Sequence, residues 1–194
     1  MDLTTTAKVK SYLGVTSTTY DTLLADLITS ISAQVETFCG RQFSRGTFTE
    51  YYDTNGETKI FLPNYPVVSV TSVKYQNGAW GNITWTTLPT SSYLLNTVMG
   101  KISFIAPLPE AESFLEVIYV GGYLIDFTAP TDPLKHTLPT DLTLAVTQLV
   151  AQAFTQRQAQ GIGSMSTEGQ SITYKAVDQS PDFTKRLASY INYK

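Results

Sequence analysis

Charged residues are scarce in this chain of 194 residues. Lys, Arg, Asp and Glu make up 15% of it, against about 25% in a typical soluble domain. Hydroxyl side chains take their place, with 29 Thr and 16 Ser. Because the cores of protein interfaces are depleted in charge, this composition suits extensive protein–protein contact. It equally suits an ordinary β-rich protein, since Thr favours strands.

Basic residues form no cluster along the sequence. The net charge is −3, with 7 basic and 12 acidic residues in 1–134 and 6 basic and 4 acidic in 135–194. No run of Lys or Arg is available to neutralise phosphates. Tight nucleic-acid binding through charge is therefore not expected.

Cysteine and histidine occur once each. A single cysteine, Cys39, excludes an intramolecular disulfide and a cysteine-built zinc site, and its place beside Phe38 predicts a buried structural thiol. His136 lies in a proline-rich loop with no acid or nucleophile placed near it in sequence. Gly161-Ile162-Gly163 lacks the third glycine and the Lys-Ser/Thr of a phosphate-binding loop. We expect no enzyme activity, no metal and no cofactor.

Long apolar runs are also missing, so no membrane-spanning segment or membrane partner is predicted. Asp2 and the run Thr4–Thr6 stand where a signal peptide would have a basic start and an apolar core. The expected place of synthesis and assembly is the cytosol.

The first forty-odd residues predict two helices. A short helix-like stretch ends at Gly14, and a longer helix ends at Cys39-Gly40-Arg41. Thr18 followed by Asp21 resembles a capping box, and Gly40 suits a left-handed C-terminal cap. Apolar residues at steps of three and four predict the buried face of the longer helix: Tyr20, Leu23, Leu24, Leu27, Ile28, Ile31, Val35 and Phe38.

The other face of the longer helix is weakly charged. Across the whole helix the charges are Asp21, Asp26 and Glu36, with no Lys or Arg. A solvated helix usually has charges of both signs and i,i+4 pairs. We therefore expect this face to meet neighbouring subunits or to line an acidic surface.

Alternation with a period of two replaces the helical pattern between Thr47 and Tyr123. Asn55-Gly56 predicts a hairpin between the first two strands, and Asn77-Gly78 predicts another turn. The interpretation is a mostly antiparallel β unit of five or six strands. The candidate segments are Phe48–Tyr52, Lys59–Leu62, Val67–Tyr75, Ile83–Thr87, Tyr93–Leu95, Lys101–Ile105 and Leu115–Val120.

A proline-rich crossing loop leads back to helical sequence. Thr140-Asp141 opens a third helix that ends before Gly161. The Gly/Ser-rich stretch 161–170 is expected to be mobile, Ile172-Thr173-Tyr174 to form a strand, and Ser180-Pro181 to start a short last helix.

The predicted fold class is α+β. Two N-terminal helices, one long late helix and a short C-terminal helix form a small bundle with an inserted β unit. The expected boundaries are 1–46 and 126–194 for the helical parts and 47–125 for the β insertion, with a flexible 161–170 loop and a terminal arm.

Ordered segments along the chain carry a resemblance to a known family. In the helical part they are Val9–Val15, Tyr20–Leu24, Ile31–Val35, Phe38–Phe43 and Leu138–Leu142; in the β region they are Ile60–Pro63, Pro66–Val73, Gly100–Ile102 and Val117–Tyr123. Together they resemble the head–tail connector proteins of tailed bacteriophages, also called adaptor or head-completion proteins, in the long form with a β insertion.

The resemblance implies a structural virion protein at the head–tail junction, assembled in the host cytoplasm. Identical subunits, usually twelve, would form a ring below the portal protein. That ring would extend the channel through which double-stranded DNA passes without specific binding, and would offer a docking surface to a stopper or tail-completion protein.

Particular residues follow from the resemblance. A C-terminal arm would contact the portal, here through Asp182, Phe183, Lys185, Arg186, Tyr190 and Lys194. Asp21, Asp26 and Glu36 are candidates for an acidic lumen or for an inter-subunit face.

Two other readings stay open. The aromatic β unit could recognise a host carbohydrate or a tail partner as a virion binding module, through residues such as Trp80, Trp85, Tyr51, Tyr52 and Tyr75. A small hydrolase would need a pocket that joins His136 to carboxylates distant in sequence.

Overall fold

The computed structural model describes residues 1–77, 82–157, 164–167, 170–173, 185 and 187–192. The chain divides into two compact units. The helical unit comprises Met1–Gly40 and Ile125–Tyr193, and the β unit comprises Arg41–Leu124. Helices and antiparallel sheets in one chain confirm the predicted α+β class.

Within the described residues the helical unit contains three α-helices whose full ranges are defined: α1 (Thr6–Leu13), α2 (Asp21–Cys39) and α3 (Thr140–Gln156). Thr5 caps α1 by accepting a hydrogen bond from the Lys8 N–H at 3.3 Å. Gly14 and Gly40 end α1 and α2 in the left-handed conformation, with φ of 68° and 63°. The predicted helix end at Gly14 and the predicted left-handed cap at Gly40 are both confirmed.

The predicted capping box at the start of α2 is wrong. Tyr20 occupies the N-cap position and makes no side-chain cap hydrogen bond. The carboxylate of Asp21 instead accepts a hydrogen bond from Lys10 of α1 at 2.8 Å. The Tyr20 ring packs edge-on against Phe154 and lies under the guanidinium of Arg157, 5.0 Å from its centroid. Aromatic contacts to the far end of α3 therefore locate this helix start.

The buried stripe of α2 is narrower than predicted. It consists of Leu24, Ile28, Ile31, Ser32, Val35 and Cys39. Leu23 and Phe38 lie at its flank and remain 39% and 37% exposed. Because the buried positions recur strictly at steps of three and four, an apolar residue one position off that row faces outward. Burial of the free Cys39 thiol is confirmed.

Helix α3 fills the centre of the helical unit and packs against both α1 and α2. Its buried residues are Leu142, Thr143, Ala145, Val146, Thr147, Leu149, Val150, Ala151 and Phe154. The two buried threonines are satisfied: both hydroxyls donate to backbone carbonyls four residues earlier, and that of Thr147 also meets the Thr4 hydroxyl at 2.6 Å. The sequence predicted this helix but not its polar contact with the N-terminus.

The described residues of the β unit form seven strands, not five or six, in two antiparallel sheets. They are β1 (Gly46–Thr54), β2 (Lys59–Phe61), β3 (Val67–Asn77), β4 (Thr84–Thr87), β5 (Tyr93–Asn96), β6 (Lys101–Phe104) and β7 (Ala111–Gly121). The order is β1-β7-β3-β4 in one sheet and β2-β6-β5 in the other. The β3–β4 pair encloses the predicted Asn77-Gly78 turn, whose Gly78 lies outside the described residues.

The hairpin predicted at Asn55-Gly56 does not form. The strands on its two sides belong to different sheets, because β1 pairs with β7 while β2 pairs with β6. One apolar cluster joins the two sheets. Its buried members are Ile60, Leu62, Val67, Val73, Tyr93, Ile102, Phe104, Leu115, Val117 and Tyr119. The chain at residue 55 thus crosses from one layer to the other, so each layer buries one face.

After α3 the described residues form a small two-stranded sheet, β8 (Ser164–Thr167) with β9 (Gln170–Thr173). Strand β8 lies within the stretch predicted to be mobile, and β9 overlaps the predicted strand 172–174. Ala188–Tyr190 form a turn of 3₁₀ helix. The predicted helix start at Ser180-Pro181 lies outside the described residues.

Candidate functional site

The acidic residues predicted on α2 have different surroundings. Asp21 pairs with Lys10 at 2.8 Å, and Glu36 lies 3.9 Å from the N-terminal ammonium group. Asp26 is exposed and makes no ion pair with any described residue. Of the three, Asp26 alone presents an uncompensated charge among the described residues.

Only part of the predicted arm lies in the described residues: Lys185 and Tyr190. Lys185 is exposed. Tyr190 is buried, and its hydroxyl lies 2.7 and 2.8 Å from the two carboxylate oxygens of Asp141, at the start of α3. Leu187 is fully buried, and the Asn192 N–H donates to the carbonyl of Cys39 at 2.9 Å. The described end of the chain is therefore anchored in the helical unit, while the roles proposed for these residues and for Asp182, Phe183, Arg186 and Lys194 stay predictions.

A buried polar cluster that sequence reasoning missed lies in the β unit around Glu50. One of its carboxylate oxygens accepts hydrogen bonds from the Tyr119 hydroxyl at 2.9 Å and the Asn64 side-chain amide at 3.0 Å. The other accepts one from the Tyr52 hydroxyl at 2.5 Å. Burial and the Glu50 charge both raise the pKa values of Tyr52 and Tyr119 above the ordinary value of 10.0. Both phenols are thus held neutral as donors to this carboxylate.

Arg41 is buried, only 4% exposed, beside the loop 63–66 that contains Asn64. One terminal nitrogen donates to the carbonyl of Tyr65, and the guanidinium stacks 3.6 Å from the Tyr65 ring centroid. The rings of Phe43 and Tyr123 are 5.0 and 6.0 Å away. Within the part of the chain that the structure describes, Nε and the other terminal nitrogen have no hydrogen-bond partner. This cation is held chiefly by aromatic faces, which favours a role in fixing the loop 63–66.

His136 has a structural environment. Its Nδ1 accepts a hydrogen bond from the Asp126 N–H at 3.1 Å, and its ring packs 5.0 Å from that of Phe127. Two hydrogen bonds from Thr128 lower the pKa of Asp126. Among the described residues no group of three His, Cys, Asp or Glu side chains could hold a metal ion. From the described residues no side chain of Ser, Cys, Asp or Glu is hydrogen-bonded to this imidazole.

The three-stranded sheet exposes apolar side chains on the face away from the core. Leu94 is 73% exposed, Ile105 75% and Phe61 47%, with Val98 and Met99 exposed in the β5–β6 turn. Lys59 and Lys101 occupy the same face by alternation along β2 and β6. Neither lysine forms an ion pair within the described part of the chain.

The outer face of the four-stranded sheet is different. Here Tyr51 and Trp85 approach to 5.9 Å between ring centroids. Beside them Glu116 accepts hydrogen bonds from Lys74 at 2.6 Å and from the Tyr51 hydroxyl at 3.2 Å. Lys74 and Glu116 on this face are therefore paired with each other.

A shallow groove of about 460 Å³ lies between α1 and α3 in the helical unit. Tyr12 and Leu144 are its exposed apolar members. Within the described residues no helix has both the length and the hydropathy needed to cross a bilayer.

Comparison with known proteins identifies the family, because the model of the head completion protein family matches residues 2–190. The chain belongs to the head completion protein family. This places it among structural head–tail connectors, not in an enzyme family, and confirms the resemblance found in the sequence.

Solved structures share the fold of this head completion protein. A chain from the neck of an empty gene transfer agent particle, computed with C6 symmetry, matches with a TM-score of 0.59 and 17% identity over 97% of this chain and 88% of that one. A chain from the native particle's neck, computed with C12 symmetry, matches with a TM-score of 0.56 and 18% identity over 97% and 88%. No curated protein sequence matches.

Proposed function

We propose that this head completion protein is a ring-forming subunit docked below the portal, where it extends the DNA channel and offers a docking surface to the stopper or tail-completion protein. The family match over 2–190 carries the proposal. The neck structures that share its fold were computed with sixfold and twelvefold symmetry, which supports a ring and favours twelve subunits.

The surface chemistry supports assembly through protein contacts. Exposed apolar side chains occur in both units, and Lys, Arg, Asp and Glu are only 15% of the chain. A protein with few charges loses little hydration when large areas are covered, so a multi-subunit ring is compatible with this surface. A net charge of −3 without a basic run suits a channel through which DNA slides.

For the acidic residues of α2 we favour the inter-subunit face over the lumen. Asp21 and Glu36 each have a cationic partner within the chain, which reduces the field they would project onto DNA. Asp26 lies on an exposed helix face that contains no other charge. A single negative charge per subunit suits a specific contact better than a repulsive lining.

The portal contact is proposed for the arm, with Lys185, Arg186 and Lys194 paired to acidic portal groups. Lys185 is exposed, while Leu187 and Tyr190 anchor the segment in the helical unit. Deleting Asp182–Lys194 would also remove these buried anchors. Charge reversal at Lys185 is therefore the cleaner test of portal attachment.

The ring and its location are tested by native mass measurement and negative-stain imaging of the purified protein, alone and with portal-containing heads. The expected result is a ring of twelve at the portal vertex of each occupied head. Monomers that never bind such heads would contradict the proposal, whatever they bind elsewhere.

The exposed Tyr51–Trp85 pair favours one second candidate, a virion module that binds a host carbohydrate. Exposed aromatic rings beside polar groups can stack on sugars. The replacement Tyr51→Ala/Trp85→Ala would then abolish binding on a glycan array while ring formation persists. Absence of glycan binding by the wild-type protein would eliminate this candidate.

A further inference from the structure

A ring of identical subunits places a geometric demand on each copy. Cyclic assemblies larger than a dimer use a heterologous interface, in which one patch of each subunit meets a different patch of the next. Each copy must therefore carry two unlike surfaces that complement each other. The inference below rests on the proposed ring and concerns which surfaces those are.

The first surface is the outer face of the three-stranded sheet, which we call the sheet patch: Lys59, Phe61, Leu94, Lys101 and Ile105. Its three apolar members are between 47% and 75% exposed. Strands β2, β5 and β6 contain two lysines and no acidic residue. The sheet patch is thus apolar and positively charged.

The second surface is the outward side of α2, which we call the helix patch: Leu23, Asp26, Ser30, Ala33 and Thr37. All five residues are exposed and recur at steps of three and four, so they share one side of the helix. The only charge among them is Asp26, and α2 contains no basic residue. The helix patch is weakly polar and negatively charged.

We propose that the sheet patch of one copy packs against the helix patch of the next copy in the ring, with Asp26 opposite Lys101. Charge complementarity selects this pairing. Lys101 lies on the central strand of its sheet, at register with Phe61 on one side and Asn96 on the other. Leu23 supplies apolar area beside Asp26, and the apolar members of the sheet patch surround Lys101.

Two other exposed features are less suitable as surfaces of a heterologous ring interface. On the outer face of the four-stranded sheet, Lys74 and Glu116 already neutralise each other at 2.6 Å. In the α1–α3 groove the charged member, Lys8, lies 5.1 Å from the Phe127 ring centroid of its own chain. Among the described residues neither feature presents two lysines without an ion-pair partner, as the sheet patch does.

Engineered cysteines test the contact directly. The native Cys39 is fully buried, so the wild-type chain gives no background with a short bismaleimide. In assemblies on portal-containing heads, Asp26→Cys/Lys101→Cys should produce a ladder of covalent multimers. Neither single variant should cross-link, because the two patches are different. The matched control Asp26→Cys/Tyr51→Cys, with its second cysteine on the other sheet, should also stay monomeric.

Each other outcome overturns the inference. Rings that form normally but give no ladder in the paired variant would remove this interface and leave the proposed ring standing. Cross-linking of Lys101→Cys alone would mean that the sheet patch meets itself. Absence of any ring in the wild-type protein would defeat the proposed function and this contact with it.

Exchanging the charges at Asp26 and Lys101 tests the same contact independently. Asp26→Lys and Lys101→Glu should each weaken self-association about tenfold or more, because like charges then face each other. The combination Asp26→Lys/Lys101→Glu should restore most of the loss. Thermal melting should be nearly unchanged, since both residues lie at the surface. A loss from Lys101→Glu that the combination does not restore would instead assign the sheet patch to a different protein.

Discussion

The Tyr119 hydroxyl illustrates how much one atom can organise. It donates to Glu50 and accepts from the backbone N–H of Asn64 at 3.2 Å and from the Asn64 amide at 3.1 Å. Replacement by phenylalanine removes the acceptor of the Asn64 N–H, while the Asn64 amide and Glu50 keep their hydrogen bond to each other. A buried donor left without its partner costs about 1–3 kcal/mol. We expect Tyr119→Phe to lower the free energy of unfolding by about 1–3 kcal/mol in urea denaturation.

Tyr51→Phe is the matched control for that change. Its hydroxyl donates to Glu116 at 3.2 Å, but the ring is 58% exposed and Glu116 keeps Lys74. The expected loss is below about 0.5 kcal/mol, as for most surface substitutions. Equal losses from the two replacements would show that the Glu50 cluster contributes no special stability.

The same tyrosine predicts how stability changes at alkaline pH. An unfolded tyrosine has a pKa of about 10, and burial with the Glu50 charge raises the pKa of Tyr119 in the folded state. Above pH 10 the folded state therefore holds a proton that the unfolded state has lost. The tyrosine contribution is complete below about pH 10 and declines as pH rises through the folded pKa.

Urea titrations between pH 9 and 11 check this dependence. We expect the decline in unfolding free energy to be shallower in Tyr119→Phe than in the wild type. Lysine deprotonation affects both proteins alike and cancels in the comparison. Parallel curves would mean that Tyr119 ionises equally in both states.

At the scale of whole elements, local sequence patterns predicted where the strands lie but not which strands pair. Period-two alternation located the strands because each buries one side, as along β1. Asn55-Gly56 carried a hairpin signal, yet β1 follows β7 from Gly46↔Gly121 to Thr54↔Ala111. The Asn55-Gly56 dipeptide predicts only a local turn and not which strands pair on either side of it. Which strand lies beside β1 depends on an apolar core that joins distant residues; the paired positions run from Gly46↔Gly121 to Thr54↔Ala111, far apart in sequence.

The Glu50 cluster and the sheet patch escaped prediction for a related reason. Nothing near Glu50 in sequence marks it as the centre of a polar cluster, since Asn64 and Tyr119 come from other segments. By contrast, the weak charge on α2 was visible directly, because one helix contains all its residues. Asp26 was therefore among the candidates, while the lysines opposite it in the proposed interface were not.

Strand β7 offers a steric test at the element scale. A Cβ on Gly121 would overlap the carbonyl oxygen of Asn64, which belongs to the loop that holds the Glu50 cluster. Gly46 lies directly across from it on β1 and would meet only the Phe48 ring, at 3.5 Å. We expect Gly121→Ala to destabilise the protein by about 2–4 kcal/mol or more, because backbone must move.

Gly46→Ala is the matched control and should change the free energy of unfolding by less than about 1 kcal/mol. Chemical denaturation of both variants measures the difference. A tolerated Gly121→Ala would mean that the loop 63–66 shifts freely, and the close packing of that loop on β7 would then be unimportant for stability.

At the scale of the whole molecule, the two units contribute different surfaces. The β unit contains a self-contained core and the sheet patch, whereas the helical unit holds the helix patch and the anchored C-terminal segment. If the ring uses one patch from each unit, both must be present in one chain for assembly. Contacts between neighbouring subunits would then hold the ring together. The C-terminal arm of each subunit would attach that ring to the portal.

The arm's charge can be tested apart from its anchors. Lys185 is exposed, and its replacement leaves the Tyr190–Asp141 hydrogen bonds and buried Leu187 in place. We expect Lys185→Glu to reduce the fraction of portal-containing heads that retain the protein after sedimentation, with unchanged thermal melting. Attachment of the wild type should weaken at high salt, because exposed ion pairs are screened.

Lys135→Glu is the matched control, since Lys135 is an exposed lysine of the same unit whose nearest ion partner, Asp132, lies 3.9 Å away. It changes the net charge by the same amount, so a general electrostatic effect would reduce attachment equally in both variants. A specific arm contact predicts loss only at Lys185. Full attachment of Lys185→Glu at every salt concentration would remove Lys185 from the portal interface and direct attention to surfaces outside the arm.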